Sequence, residues 1–140
     1  MRHKLTDEKR TLAAFHIRKY KDYKEELEKI KLDMMPSPVA SYNPREGISG
    51  DVAKRTTEEI AMRIESAVHV RCMEQTVAAV ESVLSALDEI DLRLVDLIYW
   101  QRRYTITGAG LEVGLTKSPT YDRINNILWA VLVALGHEKP

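Results

Sequence analysis

The chain has few of the residues from which a disulfide, a metal centre or a catalytic site is built. Its 140 residues include a single cysteine, Cys72, which excludes an internal disulfide and a cysteine-based zinc site. Because Cys72 lies among apolar helix positions, we expect it to be a small buried hydrophobe. The four histidines lie on separate segments, none at metal-ligand spacing from a carboxylate. The glycines at 108–110 follow no strand and lack the lysine of a phosphate loop. We therefore expect no enzyme, no metal and no cofactor.

The chain also lacks an excess of charge of either sign. Lysine and arginine number 21, aspartate and glutamate number 21, and the formal net charge is zero. Without a net positive charge, the chain is not expected to be a protein that coats nucleic acid non-specifically. A protein that reads DNA through a local basic site is still compatible with this composition. No signal peptide and no apolar run long enough to span a bilayer is present, so we expect a cytoplasmic protein without membrane contact.

Charged residues make up 30% of the chain and aromatic residues 6%, a composition typical of helices and coiled coils. Residues 1–35 are predicted to be a charged helix from Thr6, the N-cap, to about Met35. Apolar residues recur there at alternating spacings of three and four, a heptad seam that needs a partner helix from this chain or from a second copy. The seam consists of Ala13, His16, Tyr20, Tyr23, Leu27, Ile30 and Met34.

Residues 36–55 are predicted to be a linker, because prolines and glycines concentrate there and cannot continue a helix. Residues 56–140 form the predicted helical domain, with a long helix beginning near Thr56 or Thr57. Its seam consists of Ile60, Ile64, Ala67, Val70, Met73, Val77, Val80, Leu84 and Leu87. A third helix is predicted from Asp88 to Arg103 after an acidic bend at residues 88–91. Its buried face consists of Ile90, Leu94, Leu97, Ile98 and Trp100. No segment alternates with period two, so the predicted fold is all-α.

The segment from Ile98 to Gly136 has the layout of a helix-turn-helix DNA reader, with the motif at about residues 104–136. Gly110 lies where two helices would cross closely, and Gly114 lies where a left-handed residue would turn the chain. Thr116 or Ser118 offers an N-cap oxygen, and a proline in the first turn of the next helix costs no hydrogen bond. A plain helical hairpin used only for packing would show the same spacing.

The long helix that follows has one apolar stripe, formed by Tyr121, Ile124, Leu128, Val131 and Leu135. Its exposed front is expected to carry Thr120, Asp122, Arg123, Asn125 and Asn126. The predicted DNA contacts are Lys117, Ser118, Thr120, Tyr121, Arg123, Asn125 and Asn126. The predicted supporting contacts to the DNA backbone are Arg102, Arg103 and Thr116. If Arg123 meets a guanine, its replacement by alanine would weaken the complex by roughly 1–3 kcal/mol.

These residues carry a resemblance to a known group of proteins. Residues 111–136, LEVGLTKSPTYDRINNILWAVLVALG, are similar to the C-terminal segment of the ArpU and RinA families of phage-encoded transcriptional regulators. Residues 112–116 resemble the families' E-L-G-hydrophobic-S/T element, Tyr121 the following tyrosine, and residues 134–136 the Ala-Leu-Gly end. Residues 51–60 and 86–91 also resemble these regulators, and the convincing match covers about a third of the chain.

The resemblance implies a reader similar to region 4 of bacterial sigma factors, in a phage or prophage regulator that activates late genes for packaging and morphogenesis. Implied partners are double-stranded DNA, host RNA polymerase and a second copy of the chain, in the cytoplasm of a bacterial host. Family members carry a basic run through the recognition helix, whereas this chain has Pro119, Asp122, Asn125 and Asn126 there. Affinity is therefore expected to depend on dimerisation or on polymerase. A small terminase-like packaging protein and a helical protein–protein adaptor are the alternatives.

Overall fold

The computed structural model describes residues 4–33 and 52–140, with the backbone alone for residues 52–55. Within these ranges the chain forms five α-helices and one π-helical segment. They are α1 (Asp7–Asp33), α2 (Val52–Ala86), α3 (Glu89–Val95), the π segment (Asp96–Trp100), α4 (Ile106–Glu112) and α5 (Lys117–Leu135). The described ranges contain no strand, which confirms the predicted all-α class.

The first helix begins as predicted, because the backbone N–H of Lys9 donates to Oγ1 of Thr6 over 3.3 Å. Met34 of the predicted seam and residues 36–51 of the predicted linker lie outside the described residues. The linker's predicted end at residue 55 is wrong, since α2 already begins at Val52. Ala53, Lys54 and Arg55 favour helix, so nothing after Gly50 delays its start.

The core forms where α1 packs against α2, α5 and the π segment, and α2 packs against α5. The predicted seams supply much of it, since Ala13 and Tyr20 of α1 and Met73 and Val80 of α2 are buried. His16, also on the seam, is half-buried, and its Nδ1 lies 3.0 Å from Oγ1 of Thr76. Removal of this apolar surface from water is the main stabilising contribution. A coiled-coil supercoil stays a prediction.

The beginning of α2 is uncovered, contrary to the predicted continuation of its seam. Ile60 and Ile64 are 50% and 59% exposed, and Ala67 is also exposed. The expectation that Cys72 is buried is wrong as well. Met73 is the buried residue here, and a helix turns by about 100° per residue, so Cys72 points away from the core.

The predicted third helix is divided. Oδ1 of Asp88 accepts from the N–H of Asp91 over 2.8 Å, so the acidic bend does cap a new helix. Helix α3 continues into the π segment, which ends at Trp100 and not at the predicted Arg103, and Arg102 beyond it has a positive φ of 57°. Nε1 of Trp100 donates to the carbonyl of Ile17 over 3.0 Å, which joins the π segment to α1.

The buried face predicted for this region is correct at Leu94 and Leu97, whereas Ile90 is exposed. Ile90 lies in the first turn of α3, before the helix meets the core.

Candidate nucleic-acid interface

The turn between α4 and α5 is built from backbone hydrogen bonds around Gly114. Thr105 is the N-cap of α4, and its Oγ1 accepts from the N–H of Gly108 over 3.0 Å. At its end, the N–H of Leu115 donates to the carbonyl of Gly110 over 2.8 Å, and that of Gly114 donates to Leu111 over 3.1 Å. These two bonds form a Schellman motif, which requires the left-handed φ of 84° found at Gly114. The turn predicted at Gly114 is confirmed.

Gly110 and Thr120 set the close contact between α4 and α5. A Cβ built on Gly110 would clash with Oγ1 of Thr120 and lie 2.8 Å from its Cβ. Thr120 is fully buried, and its hydroxyl donates to the carbonyl of Thr116 over 2.7 Å. The expectation that Thr120 lies on the exposed front is therefore wrong. It faces α4, and its hydroxyl is occupied inside the helix pair.

The start of α5 presents polar groups to solvent. Thr116 occupies the N-cap position with extended backbone but makes no side-chain cap hydrogen bond. Lys117 and Ser118 follow on the exposed surface, and the first turn contains no acidic residue. The unpaired amides of a helix start and the lysine charge both attract anions. This end of α5 suits a phosphate or a base edge.

Arg123 lies on another side of α5 and is held by two carboxylates. Its Nη1 donates to Oδ1 of Asp91 over 3.0 Å and to Oδ2 of Asp88 over 3.2 Å. These two hydrogen bonds, first that to Asp91, raise the pKa of the Arg123 guanidinium. The pKa of the Asp88 carboxyl is lowered, mainly by its hydrogen bond from the Asp91 backbone and further by Arg123. Contact of Arg123 with DNA would require release from these partners.

Tyr121 and Asn125 are half-buried and line a groove of about 260 Å³ between α1, the π segment and α5. Arg10 and Arg18 of α1 line the same groove. Tyr99 also lines this groove. Burial raises the pKa of Tyr99 to about 12, although the nearby charges of Arg18 and Arg10 act in the opposite direction. The groove thus combines two guanidinium groups, an amide and aromatic rings.

The remaining predicted residues are exposed and more dispersed. Arg102 lines a second groove with Arg18, Lys21 and Trp100, and Lys21 Nζ lies 4.2 Å from the Trp100 ring centroid. Arg103 and Asn126 are exposed, as expected for residues that contact a partner. The structure thus brings Tyr121 and Asn125 into one groove. Arg18 lines both this groove and the groove of Arg102, so the two grooves are neighbours.

Sequence reasoning missed Arg10 and Arg18 as candidates. Their spacing of eight places both on one face of α1, on either side of the buried Ala14. That spacing was a readable signal, but only the tertiary structure shows that this face meets α5.

A separate groove of about 700 Å³ lies between α1, α2 and the end of α5, lined by His16, Cys72, Thr76 and His137 among others. In the part of the chain that the structure describes, its lining contains no carboxylate, lysine or arginine. Burial, and secondarily the charge of His137, lower the pKa of His16. Among the described residues, no group of three or more potential ligands could hold a metal ion. In the same part of the chain, no helix is both long and apolar enough to cross a membrane.

No protein-family model, no curated protein and no solved structure matches this chain. The resemblance to phage regulators therefore stays a prediction.

Proposed function

We propose that the chain is a DNA-binding transcriptional regulator of a phage or prophage, which reads promoter DNA with α4 and α5 as a helix-turn-helix. The observation that carries the proposal is the start of α5, exposed, free of acids in its first turn and packed tightly on α4. A recognition helix needs this combination, because its first turns must reach base edges and phosphates while its angle stays constant. Activation of late genes, with host polymerase as partner, is the form that the family resemblance favours.

Lys117 and Ser118 are the proposed leading contacts, supported by Tyr121, Asn125 and Asn126. Arg123 has a smaller proposed share, because Asp88 and Asp91 already satisfy its guanidinium. Arg102, Arg103 and Thr116 are exposed and available to the DNA backbone.

The test is selection of duplexes from a random pool, followed by fluorescence anisotropy at several salt concentrations. We expect an enriched sequence and salt-sensitive binding, which Lys117→Ala weakens. Lys29→Ala is the matched control, since Lys29 is exposed, lies on α1 and forms an ion pair with Glu25 over 3.6 Å. Absence of both enrichment and salt-sensitive binding would refute the proposal.

The uncovered apolar side of α2 favours a second candidate function. Ile60, Ile64 and Val68 are each at least half exposed and follow one another at four-residue spacing. Such a stripe suits a helical protein–protein adaptor, and the zero net charge agrees with that function. Failure to bind DNA together with capture of a defined helical partner would support the adaptor.

The same stripe suits self-association in a small terminase-like packaging protein. That alternative requires a ring of many subunits, whereas a regulator of the proposed kind is expected to be a dimer. Measurement of the mass in solution distinguishes these two DNA-binding proposals.

A further inference from the structure

We propose that the groove between α1, the π segment and α5 binds a phosphate group through Arg10 and Arg18. If the proposed function is correct, this phosphate belongs to the backbone of a nucleic acid, and to that extent the inference rests on the proposed function. A free phosphate-bearing small molecule offers the same chemistry and is the other source. Neither arginine is among the residues predicted from the sequence.

Two arginine side chains that form no ion pair within the described ranges line the same groove. The Cα atoms of Arg10 and Arg18 are separated by eight residues of helix, a rise of ~12 Å, yet both side chains line one groove. Ala14 lies between them and is too small to fill the space. Neither arginine forms an ion pair with a residue in the described ranges. Two guanidinium groups without a counter-charge favour an anion between them.

One of the two arginines has an unsatisfied hydrogen-bond donor. Nε of Arg10 is buried and has no hydrogen-bond partner among the described residues. A buried charged donor without an acceptor is costly, and native proteins leave few of them. Because Nε is shielded from solvent, a phosphate oxygen reaches it only after the Arg10 side chain turns toward the groove. The guanidinium then presents its donors in a fork that matches two phosphate oxygens.

The residues around the two arginines also favour a bound anion. Ile98, Ile124 and Leu128 contribute apolar surface to the groove, which strengthens a charged hydrogen bond relative to water. Tyr99 is buried and lines the same groove, and its raised pKa keeps the hydroxyl protonated at neutral pH, so it does not neutralise the arginines. Asn125 adds a neutral amide that can donate to an oxygen.

The position of the groove links it to the start of α5. Lys117, Tyr121 and Asn125 follow at four-residue spacing and therefore share one face of α5. The last two line the groove, so a phosphate held there lies beside the face that leads to Lys117. A nucleic-acid strand bound at the start of α5 would therefore have its phosphate backbone close to α1.

The direct test is heteronuclear NMR of the arginine Nε–Hε groups in the full chain. We expect the Arg10 resonance to shift on addition of a short duplex, of inorganic phosphate, or of both. A shift with the duplex alone identifies the nucleic-acid backbone as the source. A shift with millimolar inorganic phosphate identifies a free phosphate site. An Arg10 resonance unmoved by either probe overturns the proposal.

Variants provide the second readout. Arg10→Gln with Arg18→Gln is expected to lower the salt slope of duplex binding by about 2, which makes the affinity lost between 50 and 200 mM salt roughly tenfold smaller. Arg10→Lys retains the charge without Nε and is expected to keep the slope but lose affinity several-fold. Lys29→Gln with Arg63→Gln removes two exposed charges elsewhere and should change neither quantity.

These outcomes separate the two proposals. If the chain binds duplexes through Lys117 but the double arginine variant behaves as wild type, the phosphate site is wrong and the DNA-binding function stands. If the chain binds no duplex but phosphate shifts Arg10, the function is wrong and the phosphate site stands. Circular dichroism of each variant establishes that it is folded.

Discussion

Thr120 occupies the space that a side chain on Gly110 would need, and this contact joins α4 to α5. The threonine is fully buried, and its hydroxyl donates to the carbonyl of the N-cap residue Thr116. Because interiors are closely packed, neither residue can grow without displacement of a helix. The angle at which the start of α5 projects therefore depends on a glycine and a threonine.

Gly110→Ala is expected to destabilise the fold by about 1–3 kcal/mol. The new methyl group clashes with Thr120, and the cost of this clash exceeds the gain in helix propensity from alanine. Urea unfolding measures the change. Gly110→Ala with Thr120→Ala should recover part of the loss. Gly108→Ala is the control, because among the described residues the nearest atoms to its methyl group are Oγ1 of Thr105 at 3.2 Å and Cδ1 of Tyr104 at 3.8 Å. Wild-type stability of Gly110→Ala would contradict the close contact.

Gly114→Ala is expected to cost about 1 kcal/mol through backbone strain alone. The residue has φ of 84°, and a Cβ there would meet no atom of the described residues within 4 Å. Gly114→Asn should cost less, because asparagine tolerates the left-handed region better than alanine does. Gly136, with φ of 82° at the end of α5, provides the same test away from the proposed interface. Equal stability of the alanine and asparagine variants would argue against strain as the cause.

Release of Arg123 from its carboxylates is expected to strengthen DNA binding. Asp91→Asn should raise the salt slope by about 1, because it removes a negative charge and frees a guanidinium. Arg123→Ala should destabilise the fold by only about 0.5–1 kcal/mol, since its side chain is 34% exposed. Anisotropy with a selected duplex gives the slope. Glu65→Gln removes a distant exposed carboxylate, and an equal response from it would show that Arg123 contacts no DNA.

Acid should destabilise the protein through His16 before the carboxylates titrate. Its pKa is lowered from 6.5, first by burial and then by His137, so the unfolded chain binds this proton more tightly. The free energy of unfolding is therefore fully retained above about pH 6.5 and falls as the pH decreases below it. Thermal melts between pH 7 and 5.5 should show a smaller decrease in Tm for His16→Gln than for wild type. His69→Gln, at an exposed site, should resemble wild type.

The exposed stripe on α2 is expected to mediate self-association. Ile64→Lys should shift a dimer toward monomer in sedimentation velocity, because a charge in an apolar helix seam is costly to desolvate. Met62→Lys is the control, since Met62 is 67% exposed and lies on a different side of the helix. A wild-type monomer at tens of micromolar would argue against the dimer, and a ring of many subunits would favour the terminase-like alternative.

Features set by local chemistry were predictable from the sequence. The N-caps at Thr6 and Asp88 and the left-handed turn at Gly114 each depend on residues within one turn of chain. The glycine contact between α4 and α5 was also predictable, because a close crossing admits few residues other than glycine. The predicted start of α2, near Thr56, is four residues later than the observed start at Val52. Threonine is a typical N-cap residue, but here the residues before it already favour helix.

By itself the sequence determined the all-helical class, the caps and the glycine turn, because these follow from backbone requirements of neighbouring residues. Only the tertiary structure decided that Thr120 is buried, that Arg123 is paired with Asp91, and that Cys72 faces solvent. It alone joined Arg10 and Arg18 to the face of α5. The physical reason is that successive side chains of a helix point in directions about 100° apart. Which of these directions meets another helix depends on how helices distant in sequence pack together.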